Sequence, residues 1–164
     1  MKLLPGMMGQ GERWSATREV VQTSTGLSFI PGPSLVAGAF IIRACDSDVV
    51  MTGRGKVEHL ISAFHVELIA CLQGIQSVIS LGIGHLVMET DAQEVVIAIK
   101  TDNYLDAAAG HIVEEVKSLV DLNFISFECV FKGRESNQAA HELAVLECLC
   151  AEGEEQILSS ALIA

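Results

Sequence analysis

The sequence predicts an α/β domain on a mixed sheet, with elements in the order β-β-β-α-β-α-α-β-α, five strands, and helices on both faces. Three observations predict it. Apolar residues make up 50% of the chain while aromatics are only 5%, so the interior must be built from Val, Ile, Leu and Ala, the materials of layered α/β packing. The first third reads as β-branched runs separated by turn residues. From Ser62 the apolar period lengthens to helical spacing and then alternates with short strands. A meander followed by right-handed crossovers gives a mixed sheet, and such sheets take ligands at the carboxyl ends of their strands.

The 164 residues suffice for one sizeable core and not for two. Residues 1–18, with Gly6, Gly9, Gly11 and no periodicity, read as a loose leader. The domain is expected over 19–150 and a tail over 151–164. "VVQTSTGLSF", "LVAGAFIIRA" and "VVMTGRGKVEHL" are three strands in succession, parted by "IPGPS" and "CDSD". Val66, Ile69, Ala70, Leu72, Ile75, Val78, Ile79 and Leu81 then follow helical spacing up to Gly82, a good stop signal. "HLVME" is a fourth strand. "DAQEVVIAIK" starts a helix with Asp91 as a plausible N-cap and Glu94 at capping-box spacing. "HIVEEVKSLVDL" is an amphipathic helix, "FISFECVF" a fifth strand, and "NQAAHELAVLECLC" a closing helix. The tail "EEQILSSALIA" has no clear partner.

The formal net charge of −11 opposes non-specific attraction to phosphate backbones, which is driven by Lys and Arg. Carboxylates that hold divalent cations offer a route around that repulsion. The five cysteines contain no C-x-x-C pair. Buried free thiols in a reducing compartment, cytoplasm or nucleus, explain them, and zinc spacing is absent. No secretory signal is expected from "MKLLPGMMGQ". The uncharged run between Glu19 and Arg43 carries Gln22, Thr23, Ser24, Pro31 and Pro33, which argues against a membrane span. His59, His65 and His111 lie in separate segments without ligand spacing.

Glu67 stands out, in a helix whose other members are almost all uncharged. Ala63, Ala70, Cys71 and Gly74 share its line, as on a helix face pressed against a sheet. A charge there is either paired or metal-bound, or it sits at the edge of the face and snorkels into water. Asp91 alone is an ordinary N-cap. Taken with Glu67, it becomes one half of a candidate pair able to share a divalent cation over the sheet edge. By strand alternation Glu89 is expected on the same side as Asp91.

These segments together resemble the type 1 ribonuclease H family, in particular the reverse-transcriptase-like ribonuclease H domains of plants. "FHVELIACLQGI" is similar to the family's A-E-x-x-A-x-x-x-G-L, "METDAQEV" to E-T-D-[SA]-x-x-[VL], and "RESNQAAHELA" to R-E-x-N-x-x-A-H-x-L-A. The resemblance implies catalytic roles for Glu67, Asp91 and His141, with Glu67 and Asp91 as metal ligands. It implies two Mg²⁺ ions held by four carboxylates, with hydrolysis of the RNA strand of RNA–DNA hybrids. His141 falls where hydrolytic members carry an Asp. The family's first-strand motif D-G-[SA]-F falls on "GLSF", so the metal-bridging Asp is replaced by Gly26, the lost-ligand position. Lys132, Arg134 and Asn137 are the candidate nucleic-acid contacts. Two functions follow from the resemblance: a metal-dependent hybrid nuclease, or a catalytically impaired relative that binds nucleic acid or a protein partner.

Overall fold

The β-branched runs at the start of the chain pair as neighbours, and the helical segments fold back over them. A computed structural model of the chain describes residues 20–29, 36–44, 48–57, 62–104, 108–140, 142, 145 and 156–159. The elements are β1 (Val20–Phe29), β2 (Val36–Arg43), β3 (Val49–Val57), α1 (Ala63–Ser80), β4 (His85–Thr90), α2 (Gln93–Lys100), α3 (Gly110–Asn123), β5 (Ser126–Phe131), a 3-10 turn at Arg134–Ser136, and β6 (Gln156–Ser159). The strands lie in the order β5-β4-β1-β2-β3-β6. β1, β2, β3 and β6 are antiparallel, while β1, β4 and β5 are parallel. The five expected strands are all present. The sixth comes from the segment read as a partnerless tail, which pairs with the outer edge of β3. The uncharged run after Glu19 is the β1–β2 pair. The closing helix has helical backbone at 138–140, 142 and 145. His141, the leader, His59, Cys45, Cys148 and Cys150 lie outside the described residues.

Helices α1, α2 and α3 bury their apolar stripes on one face of the sheet. Leu68, Ile75, Val95, Val113 and Val116 meet Val21, Phe40, Ile42, Leu86, Met88 and Cys129 there. Each such side chain contributes roughly 1.5–3 kcal/mol when fully buried. The opposite face is covered too, since Ser24, Ala37, Ala39 and Ile41 are buried. α1 is long and apolar enough to cross a membrane, but Val66, Leu68, Cys71, Ile75 and Val78 are buried against the sheet. Ser62 caps its start by accepting from the His65 amide at 3.2 Å. Gly82 ends it at φ +72°, a left-handed turn that glycine adopts without steric penalty.

Small residues set how closely α1 approaches the strands. A Cβ at Gly74 would lie 3.0 Å from Thr23 Cγ2 and 3.5 Å from Phe40 Cβ, so the helix rides directly on β1 and β2. This close approach carries Glu67 in toward β1. Gly53 performs the matching service on β3, where the ring of its cross-strand partner Phe40 lies over the bare backbone. A Cβ there would sit 2.3 Å from the ring, and Phe40 is fully enclosed. Gly53→Ala should therefore destabilise the fold by about 1–3 kcal/mol, the usual effect of overpacking. The denaturant midpoint would fall at unchanged slope; an unshifted midpoint would contradict this packing.

Candidate active site

Glu67 is carried into the protein by the small-residue face of α1 and is 2% exposed, so it is a buried acid and not a snorkelling one. Beside it, at the carboxyl end of β1, is Thr25. The Thr25 hydroxyl lies 3.5 Å from Glu67 Oε2, 3.4 Å from the Glu89 carbonyl oxygen and 3.6 Å from Cys71 Sγ. It has one proton to donate among them. The arrangement is a carboxyl group in an apolar setting with a single hydroxyl in support.

Asp91 follows the end of β4. It does not cap α2: the N-cap is Ala92, without a side-chain cap bond, and the Ala92 amide donates to Thr90 Oγ1 at 3.2 Å. The Asp91 carboxyl is turned to Glu67 and hydrogen-bonded to it. Burial first, and then the charge and hydrogen bond of Asp91, hold the Glu67 carboxyl up at about 8; the Thr25 hydroxyl and the Arg134 guanidinium pull it down by less. The surroundings thus favour the protonated form of Glu67, the form that can donate to Asp91. The result is an acid–carboxylate pair where a helix face meets the carboxyl ends of β1 and β4.

Strand alternation relocates two of the expected residues. Gly26 pairs with Ala39 in the β1–β2 ladder, and successive strand residues point to opposite faces. The β1 side chain that meets Glu67 is thus Thr25, and the position expected to have lost a ligand, Gly26, is not the one beside Glu67. Glu89 is corrected for the same reason. It is opposite Ser24 in the β1–β4 pairing, accepts from the Ser24 hydroxyl at 3.4 Å, and lies on the sheet face away from Glu67. The strand ends at Thr90, so alternation cannot be counted through to Asp91.

The expected phosphate contacts also divide. Lys132 Nζ pairs with Glu89 Oε1 at 3.4 Å, on the far face, where it neutralises a buried charge. Asn137 is 3% exposed and donates from Nδ2 to the Thr25 carbonyl oxygen, tying the 3-10 turn to the end of β1. Arg134 alone of the three lines the concavity of about 540 Å³ that holds Glu67 and Asp91. Phe131, from the end of β5, and Phe64, from the first turn of α1, line it as well. The sequence marked neither aromatic, because a Phe closing an apolar strand looks like core.

The donor set can be tested against Mg²⁺. Carboxylate and hydroxyl oxygens are the hard ligands it prefers. Among the described residues no group of three or more His, Cys, Asp or Glu side chains gathers in one place. Two carboxyls, when both ionised, match the charge of one divalent ion, and two ions would leave a buried excess that Arg134 enlarges. The described residues thus fit one Mg²⁺, held by Glu67 and Asp91, and do not fit a pair.

Comparison with known proteins agrees with this fold. Residues 31–146 match the family described as Reverse transcriptase-like. No curated protein matches the chain. Among solved structures, the RNase H1 of the archaeon Halobacterium salinarum superposes with a TM-score of 0.73 at 16% identity, over 80% of this chain and 99% of that one. The N-terminal RNase H domain of a Mycobacterium tuberculosis protein gives 0.72 at 14%, over 79% and 94%. LC11-RNase H1, isolated from compost and in complex with an RNA/DNA hybrid, gives 0.65 at 10%, over 81% and 100%.

Proposed function

The chain belongs to the Reverse transcriptase-like family, and from that premise we propose that it is a ribonuclease H-type nucleic-acid-binding domain whose cleavage of the RNA strand of RNA–DNA hybrids is impaired by Thr25. The observation that carries this reading is the meeting of Glu67 with Asp91 at the carboxyl ends of β1 and β4, with a hydroxyl in place of a third acid. Its fold is that of RNase H structures, one of which holds an RNA/DNA hybrid. The R-E-x-N-x-x-A-H pattern at Arg134–His141 supports a place in the type 1, plant-like group. Cys71 and Cys129, both free and buried, support a reducing compartment, cytoplasm or nucleus.

In this reading Glu67 and Asp91 hold one Mg²⁺, which would supply Lewis-acid stabilisation to a phosphodiester oxygen. The chain's own residues do the rest. Thr25 fixes the Glu67 carboxyl by a neutral hydrogen bond and adds no negative charge. Arg134 places a guanidinium at the same rim, where it can face a phosphate. Asn137 anchors the turn that carries Arg134 to the end of β1. His141 is a further candidate, by motif alone.

Retention of a labelled RNA–DNA hybrid tests the proposal. Binding should tighten roughly tenfold, a gain of about 1.4 kcal/mol, when Mg²⁺ replaces EDTA. Asp91→Asn should remove that dependence. A hybrid that is not retained, or one retained equally with and without Mg²⁺, would overturn it.

A further inference from the structure

The concavity beside the carboxyl pair has an aromatic wall that hydrolysis of a paired strand does not require. Phe131 shares a strand face with Cys129, which is 1% exposed in the core; one step further along β5, Phe131 is 52% exposed. Among the described residues the other three exposed large apolar side chains, Ile97, Leu122 and Ile125, do not line this concavity. Phe64 faces Phe131's cavity on one side and packs on Tyr104 at 5.2 Å between ring centroids. Phe131 has no such ring partner among the described residues.

We propose that this concavity receives an unpaired nucleobase stacked on Phe131, so that the site takes single-stranded RNA, or the frayed end of a hybrid, in preference to a continuous duplex. The inference rests on the nucleic-acid reading above and narrows its substrate class. Within a duplex each base face is covered by its neighbours, and only edges and backbone are offered. An exposed aromatic face can be used only by a base that has left the stack. The volume of about 540 Å³ lies within the range that encloses small ligands, enough for one nucleoside. Charge points the same way. A duplex presents about one phosphate per 1.7 Å of axis and a single strand about half that density. A chain of net charge −11 therefore repels the single strand less, and Arg134 at the rim faces the phosphate attached to the stacked base.

The test is fluorescence anisotropy with a short labelled RNA, alone and annealed to its DNA complement, on the full chain in Mg²⁺. The wild type should bind the single strand at least about fivefold tighter than the hybrid. Phe131→Ala should lose fivefold or more on the single strand, the effect of ~1 kcal/mol of base stacking, with little change on the hybrid. Phe131→Trp should restore affinity, and its added indole emission should be quenched by the RNA. Because Phe131 is half exposed, the melting temperature should hold in both variants. A hybrid bound as tightly as the single strand, or a Phe131→Ala variant that binds RNA like the wild type, would overturn this inference while the function proposed above stands. Binding of neither probe would overturn both.

Discussion

Thr25→Asp should give the chain Mg²⁺-dependent cleavage of the RNA strand in an RNA–DNA hybrid, at a rate about a hundredfold or more above wild type. Thr and Asp are close in size, so the new side chain fits where the hydroxyl now lies 3.5 Å from Glu67 Oε2. The substitution makes a third acid beside Glu67 and Asp91, so a second divalent ion would meet a smaller uncompensated excess of positive charge than in the wild type. Roughly 3 kcal/mol of transition-state stabilisation, within the range a metal supplies, corresponds to that hundredfold. The same charge has a structural signature. In EDTA three acids crowd one buried site, so the variant should melt below wild type, and Mg²⁺ should raise its melting temperature far more than that of wild type. Gly26→Asp provides the contrast, because its side chain would project to the other face of β1. Cleavage gained at 26 and not at 25 would reverse the assignment; a Thr25→Asp variant with neither a Mg²⁺ response nor cleavage would remove the metal site altogether.

Glu67→Gln should stabilise the protein in alkaline solution and leave it unchanged in acid. The folded-state value of about 8 stands above the ordinary 4.5. Between those two pH values the native chain keeps a proton that the unfolded chain has released, so wild-type stability falls as pH rises through that window. Below it both states are protonated and the slope vanishes. Each pH unit of separation corresponds to about 1.4 kcal/mol. Gln retains a donor for Asp91 and has no charge to expose, so its advantage should grow to the order of 2–4 kcal/mol above pH 8. Denaturant melts of the two proteins from acid to alkaline pH will show curves that diverge as pH rises. Parallel curves would mean that Glu67 ionises freely and is not buried against Asp91. Mg²⁺ should narrow the gap, because metal binding favours the ionised carboxyl.

Local pattern was a good guide wherever neighbouring residues decide the outcome. The period change at Ser62 and the glycine stop at Gly82 mark α1 closely, and the small residues around Glu67 mark the face pressed on the sheet but leave open whether Glu67 itself is buried or snorkels, which the 2% exposure decides. Misplacements occur where a distant strand decides. Thr25 takes its place from pairing with Thr90, which a motif aligned on "GLSF" cannot detect. Glu89 finds Ser24 and Lys132 across two strand pairings, and nothing around it in the sequence announces either partner. Asp91 looked like a helix cap because the residue type and spacing suit one; the turn at Thr90 sends it to Glu67 instead. The strand β6 stayed hidden because "QILS" is too short to declare a period, and only the open edge of β3 gives it a partner.

That last pairing has a consequence for how the protein is made. Arg54 pairs with Gln156, so the outer hydrogen-bonding groups of β3 stay vacant until the distant β6 has followed it out of the ribosome. In the interval between the synthesis of β3 and that of β6 a nascent chain offers those groups to any neighbouring extended strand, including its own copies on the same message. The period of greatest vulnerability to misassembly is therefore set by elongation time, and it closes when the last few strand residues emerge.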